Sequence, residues 1–264
     1  MWTGCLKKER EPFRPLRPWL GTDISEIARG RPAEPFPERA LLEPRDETPP
    51  QTLARIEEVF RQIGSIREPE QEWRLAPVRA ELDSIRAAWN RLDLGAGDLY
   101  RRRWGETRPE DRERVRRAAA LQIRWGLALM RTGDVTQRVW GADRLEEAMR
   151  WAPGEPGPLL AYAAYLELGR FWSREIDLLE SWLREHGPHD VVELQLLRKR
   201  ERLYKVHRER EELNRALEVA GRLAGRLGGW GSAPSWLLLE RARLYLQADS
   251  LGRAAVEARR TIAA

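Results

Sequence analysis

Short segments rich in proline and glycine interrupt the helical pattern of this sequence at a regular distance. Residues 145–169 read LEEAMRWAPGEPGPLLAYAAYLELG, in which two segments with helical spacing flank a run of prolines and glycines. Proline removes a backbone donor and clashes with the preceding turn, so one helix must end there before another begins. Such breaks recur 36 residues apart, at Gly133 and Gly169, and 35 residues apart, at Pro153 and Pro188. The chain is therefore expected to form helical hairpins joined at regular intervals.

The composition agrees with a folded, helical protein. A hydrophobic fraction of 42% excludes wholesale disorder, and no apolar run is long enough to span a bilayer. The single cysteine, Cys5, excludes an intrachain disulfide framework. Arg makes up 43 of the 47 basic residues, and the 12 Trp exceed what a core of this size needs. Both residue types are enriched at protein interfaces.

Residues 1–50 are predicted to form an extended, Pro-rich arm. They contain nine of the 17 prolines, which favour extended or polyproline-like chain over helix. Such an arm has little core of its own and is ordered only when it lies on its own helical body or on another protein. Six apolar residues are spaced along it as candidate anchors for a partner: Trp2, Phe13, Leu16, Trp19, Leu20 and Phe36.

The helical pattern begins just after the arm. TLARIEEVFRQIG predicts a helix with Thr52 as its N-cap and Gly64 as its stop. A second helix is expected over residues 70–95, where Pro77 either kinks it or splits it. A third is expected over residues 108–134. We interpret residues 51–108 as N-terminal helices that pack on a helical-repeat domain over residues 109–264.

Large and small residues alternate within that domain at matching positions. In the first unit these are Trp125, Gly126, Gly133, Asp134, Leu145, Ala148 and Pro153. In the second they are Tyr165, Gly169, Leu178, Ser181 and Pro188, and in a later unit Ala242, Tyr245, Ala254 and Ala258. This pattern resembles tetratricopeptide repeats, which are helix–turn–helix units of about 34 residues, over about residues 115–264.

The resemblance implies an all-α fold, an α-solenoid of stacked helical hairpins that presents a curved surface. In proteins of that family the inner helix of each repeat lines a groove that binds partners. Carried over to this sequence, the groove-lining residues are Leu127, Met130, Arg131, Leu166 and Glu167.

Candidate catalytic and metal-binding residues are few. His186 and His189 are the nearest to a ligand pair, but Gly187 and Pro188 between them prevent a helical metal face, and a polar loop is expected instead. The glycines of residues 227–234 lack the Lys and the helix start of a phosphate-binding loop and indicate a turn. We therefore predict no cofactor, no metal, no small-molecule substrate and no enzymatic activity.

Basic runs leave a nucleic-acid-binding protein open as an alternative. They occur at residues 101–104, 112–117 and 198–210, and could contact phosphates. Acidic residues interrupt the last two runs, which favours solvated helix faces.

The N-terminus leaves a second alternative open. Residues 3–5 read TGC, which resembles the end of a bacterial lipoprotein signal, so Cys5 is a candidate for lipidation. The protein would then be a periplasmic lipoprotein similar in plan to tetratricopeptide lipoproteins of outer-membrane assembly. The apolar region of such a signal is missing from the sequence, which argues against this alternative.

The main prediction is a non-catalytic scaffold or accessory subunit. It would bind and stabilise a multi-protein bacterial complex through its arm and its repeat surface, because curved repeat arrays present large surfaces to other proteins. It is expected in the cytoplasm, either free of membranes or peripherally on a membrane-bound complex.

Overall fold

A computed structural model describes residues 46–65, 72–92, 109–132, 134–248 and 250–263. These residues form ten α-helices and no strand, which confirms the prediction of an all-α protein. No helix within the described ranges is both long and apolar enough to cross a membrane. The helices are α1 (Pro49–Ser65), α2 (Glu72–Arg91), α3 (Pro109–Met130), α4 (Val135–Trp151), α5 (Pro156–Leu168), α6 (Trp172–His186), α7 (Asp190–His207), α8 (Arg210–Arg226), α9 (Ser235–Gln247) and α10 (Leu251–Ala263).

Helix α1 begins earlier than the sequence predicted. Thr48, rather than Thr52, precedes its first turn, and the backbone N–H of Thr48 donates to Oε1 of Gln51 at 2.8 Å. Pro49 and Pro50 take the first two helical positions, where a missing N–H leaves no intrahelical bond unmade. The helix therefore starts inside the segment predicted as an arm. Residues 1–45, including all six candidate anchors and Cys5, lie outside the described residues.

Helix α2 is continuous through Pro77, so the sequence-based alternative of two separate helices is wrong. Apolar side chains of this helix face α3. Val78 and Ile85 are buried in a small cluster with Leu121 and Ala128 of α3. This packing joins α2 to the rest of the helices through α3.

Helices α3 and α4 cross at a pair of glycines. A Cβ atom at Gly126 would lie 2.6 Å from the carbonyl oxygen of Gly141, and a Cβ at Gly141 would lie equally close, at 2.6 Å, to the carbonyl of Gly126. No side chain fits at either position, because Cβ atoms in proteins essentially never come within 3.0 Å of another heavy atom. Gly126 was predicted as the small residue at a helix crossing, whereas Gly141 was not singled out.

The proline-rich joint that the sequence predicted lies between α4 and α5. Helix α4 ends at Trp151, and α5 begins at Pro156. The indole Nε1 of Trp182 in α6 donates to the carbonyl of Pro153 at 2.7 Å. This bond ties the joint to α6 and gives a loop carbonyl a hydrogen-bond partner.

Helix α5 lies at the centre of the fold. Its sequence, PGPLLAYAAYLEL, is apolar on nearly every side, with Glu167 as its one charged residue, and eight of its residues are buried. A helix that is apolar all round requires cover all round. Helices α1, α3, α4, α6 and α7 supply that cover by packing against it.

Helix α1 is remote from α5 and α7 in sequence but packs on both. Its apolar face consists of side chains that are 3% exposed or less: Leu53, Ile56, Val59, Phe60 and Ile63. They belong to the same hydrophobic core as α5 and α7. Burial of each such side chain stabilises the folded state by about 1.5–3 kcal/mol, so α1 is an integral part of the fold.

We expect Gly126→Ala to lower the free energy of unfolding by about 1–2 kcal/mol, because the new methyl group meets the rigid backbone of Gly141 rather than a side chain. Gly221→Ala in α8 is a matched control, since a Cβ there meets nothing within 4 Å. It should raise stability by up to about 1 kcal/mol through helix propensity. Urea unfolding of both variants compares them. Equal stabilities would contradict the close crossing.

Candidate functional site

The described residues form a groove bounded by α1, α5 and α7, which we call the α1–α7 groove. It has a volume of about 870 Å³. The lining side chains from α1 are Leu53, Ile56, Glu57, Phe60 and Arg61, and Arg243 adds one from α9. The other lining side chains belong to residues between 160 and 168 of α5 and between 195 and 206 of α7.

The structure separates the five residues that were predicted to line a repeat groove. Leu127, Met130 and Leu166 are at most 1% exposed, so in this fold they belong to the core rather than to a surface. Met130 packs over Gly141 at the α3–α4 crossing, and Leu166 belongs to the main hydrophobic core. Arg131 is half-buried outside the α1–α7 groove. Glu167 is the one residue of the five that lines it.

Basic side chains outnumber acidic ones in the α1–α7 groove. Its lining includes the basic residues Arg61, Arg198, Lys199, Arg202, Lys205 and Arg243 and the acidic residues Glu57, Glu167 and Glu201. Arg198, Arg202 and Lys205 follow one another at steps of four and three residues on α7, so they share a helix face. Among the side chains that line the groove, cations therefore outnumber anions two to one.

Arg198 joins three helices at this groove. Its Nε and Nη2 atoms donate to Oε1 of Glu240 in α9, at 2.9 and 2.7 Å. Its Nη1 lies 3.9 Å from Oε1 of Glu57 in α1. Glu240 also pairs with Arg243, at 3.1 Å. These ion pairs link α7 to α9 and to α1.

A buried polar cluster forms the floor of the groove. Nζ of Lys199 lies 2.8 Å from Oε2 of Glu167 and 3.5 Å from Oε1 of Glu175. Nε2 of Gln195 donates to the same Oε1 of Glu175 at 2.8 Å. Glu175 is fully buried. Its Oε2 atom and Oε1 of Gln195 have no hydrogen-bond partner among the described residues.

Burial raises the pKa of Glu175 from 4.5 to about 7, although Lys199 and the amide of Gln195 favour the charged form. Desolvation dominates because a carboxylate loses most of its hydration in the core. Near neutral pH the Glu175 carboxyl therefore changes between a neutral and a charged form.

A second buried network ties α6, α7 and α8 together. Arg200 is nearly fully buried and pairs with Glu180 of α6 and, at 2.6 Å, with Glu212 of α8. Glu193, also buried, pairs with Arg226 of α8. The prediction that residues 198–210 form only a solvated face is thus wrong for Lys199 and Arg200, both of which are buried.

Two further groups were singled out in the sequence, the histidine pair and the glycine-rich segment. The ring of Trp182 lies 5.1 Å from that of His186 and 5.9 Å from that of His189. Within the described ranges, no group of three or more His, Cys, Asp or Glu side chains could hold a metal ion. The glycine-rich segment forms the predicted turn between α8 and α9, with Gly228 and Gly229 at φ +89° and +84°, a conformation that favours glycine.

Comparisons of the chain with protein-family models, with curated proteins and with solved structures gave no match. The resemblance to tetratricopeptide repeats is therefore still a prediction.

The pKa of Glu175 predicts a pH-dependent stability. Between pH 4.5 and about 7 the folded protein holds a proton that the unfolded chain has released, so stability falls as pH rises through this window. At about 1.4 kcal/mol per pKa unit, the loss attributable to Glu175 is about 3 kcal/mol. Glu175→Gln should remove this part of the pH dependence.

Chemical denaturation at a series of pH values measures the effect. Glu113→Gln is a matched control, because Glu113 is 56% exposed and pairs only on the surface of α3. This control should show the same dependence of unfolding free energy on pH as the wild-type protein. If Glu175→Gln also keeps that dependence, groups other than Glu175 cause it.

Proposed function

We propose that this protein is a non-catalytic scaffold or accessory subunit. It binds and stabilises a multi-protein bacterial complex through its N-terminal segment and its helical surface, in the cytoplasm or peripherally on a membrane-bound complex. The observation that carries the proposal is the α1–α7 groove, where exposed apolar and basic side chains alternate. Leu168 and Val206 are 41% and 52% exposed. The side chain of Arg202 beside them is 57% exposed.

The proposal includes a stack of helical hairpins like that of tetratricopeptide repeats. The packing of neighbouring helices supports it. Helices α3 and α4, α7 and α8, and α9 and α10 form close pairs along the chain. Successive pairs touch through α6 with α7 and through α8 with α9. Such an arrangement presents equivalent helices on one side, which suits contact with an extended partner.

A nucleic-acid-binding protein is the second candidate, because the groove carries six basic and three acidic side chains. Phosphate contacts release counterions, so binding to RNA or DNA would weaken steeply with salt. Weak binding that is independent of sequence and vanishes at physiological salt would argue against this candidate.

A deletion tests the role of the N-terminal segment. The tagged chain without residues 1–45 keeps Thr48 and also Glu47, which pairs with Arg55 at 3.0 Å, so α1 and its cap are preserved. We expect the same melting temperature as the full chain, together with loss of a protein that co-purifies with the full chain from the native source. The same partners in the same amounts would contradict a binding role for this segment.

A further inference from the structure

The face of the α1–α7 groove continues beyond α1 onto α9. Helix α1 packs chiefly on α5 and α7. Arg243 of α9 lines the groove, and Leu239 and Leu246 lie four residues before it and three residues after it. Residues with that spacing share one helix face. Leu239 and Leu246 are 53% and 51% exposed, so this face of α9 has no cover among the described residues.

The open face combines two chemistries. Apolar side chains are contributed by Val206, Leu239 and Leu246, each more than half exposed. Positive charge is contributed by Arg202 and by Arg243, whose side chains are 57% and 46% exposed. Apolar anchors beside cations are the complement of a helix that has one apolar face and acidic flanks.

Helix α1 shows how a helix binds this surface. Its apolar side chains face the core, and Glu57 on its flank lies 3.9 Å from Arg198. A second helix of similar chemistry would lie beside α1, with its apolar stripe on Leu239 and Leu246 and its carboxylates near Arg202 and Arg243.

We propose that the open face of α7 and α9, beside α1, binds an acidic amphipathic helix of a partner protein. This inference rests on the proposed scaffold function and adds the chemistry of one partner segment. Both arginines already pair with carboxylates: Arg202 with Glu167, and Arg243 with Glu201 and Glu240. The side chains of these glutamates are at most 23% exposed, against 57% and 46% for the two arginines, so the charge that faces a partner is positive.

Two fluorescent peptides of about 18 residues, roughly five helical turns, test the proposal on the full chain. Both carry leucine at the same helical positions, and their polar faces carry Glu in one and Lys in the other. We expect the Glu peptide to bind, with an affinity that falls as salt rises, and the Lys peptide to bind at least about tenfold more weakly. Equal binding of the two peptides would overturn the inference.

Charge-reversal variants locate the site. Arg202→Glu with Arg243→Glu should weaken binding of the Glu peptide by about tenfold or more, because both cations become anions. Arg86→Glu with Arg117→Glu changes the net charge equally at exposed positions on α2 and α3, which are 62% and 66% exposed, and should leave binding unchanged. If both double variants lose peptide binding equally, net charge alone explains the effect, and the proposed site is overturned.

A second pair of variants does not depend on the ion pairs around Arg243. Leu239→Ser with Leu246→Ser should weaken binding of the Glu peptide by about tenfold, whereas Val135→Ser with Val139→Ser, at exposed positions of α4, should not. Thermal melts confirm that each variant is folded. Full binding by the leucine variant would overturn the inference.

Two outcomes separate this inference from the proposed function. If the Glu peptide does not bind, yet the full chain still retains a co-purifying partner, the inference falls and the scaffold function stands. If single-stranded RNA binds instead and the Arg202 and Arg243 variant abolishes that binding, the face is a nucleic-acid surface and both proposals fall.

Discussion

The fold depends on the burial of α5. Glu167 is its one charged residue and eight of its 13 residues are buried, so it is stable only when neighbours cover most of its surface. Its cover includes helices next to it in sequence and also α1, which precedes it by about a hundred residues. The position of α1, and with it one wall of the α1–α7 groove, follows from the requirement to shield α5.

Around that apolar centre, ion pairs determine how the helices align. Arg198, Lys199 and Arg200 are consecutive residues of α7. Arg198 pairs with a residue of α9, Lys199 with residues of α5 and α6, and Arg200 with residues of α6 and α8. Buried ion pairs contribute little net stability but are costly to break singly, so they favour one alignment of the helices over others. Glu175 is the exception among these groups, because its second oxygen is unpaired.

Local signals made much of the fold predictable. The prolines of residues 153–158 and the glycines of residues 227–234 placed two helix boundaries correctly, because these residues restrict the backbone regardless of their neighbours. Gly141 was missed because its role depends on Gly126 across the crossing. Lys199 and Arg200 look solvated in a charged run, since their acidic partners on α5, α6 and α8 are distant in sequence. The groove could not be predicted, because it exists only where α1 meets α7.

The packing of α1 also affects the order of folding during synthesis. Helix α1 leaves the ribosome before α5 and α7, and more than a hundred further residues must follow before α7 is complete. At about 5–20 residues per second this takes on the order of ten seconds. During that interval the leucine, isoleucine, valine and phenylalanine side chains of α1 lack their final neighbours. The nascent chain thus exposes the apolar face of this helix, which is the kind of segment that holding chaperones bind.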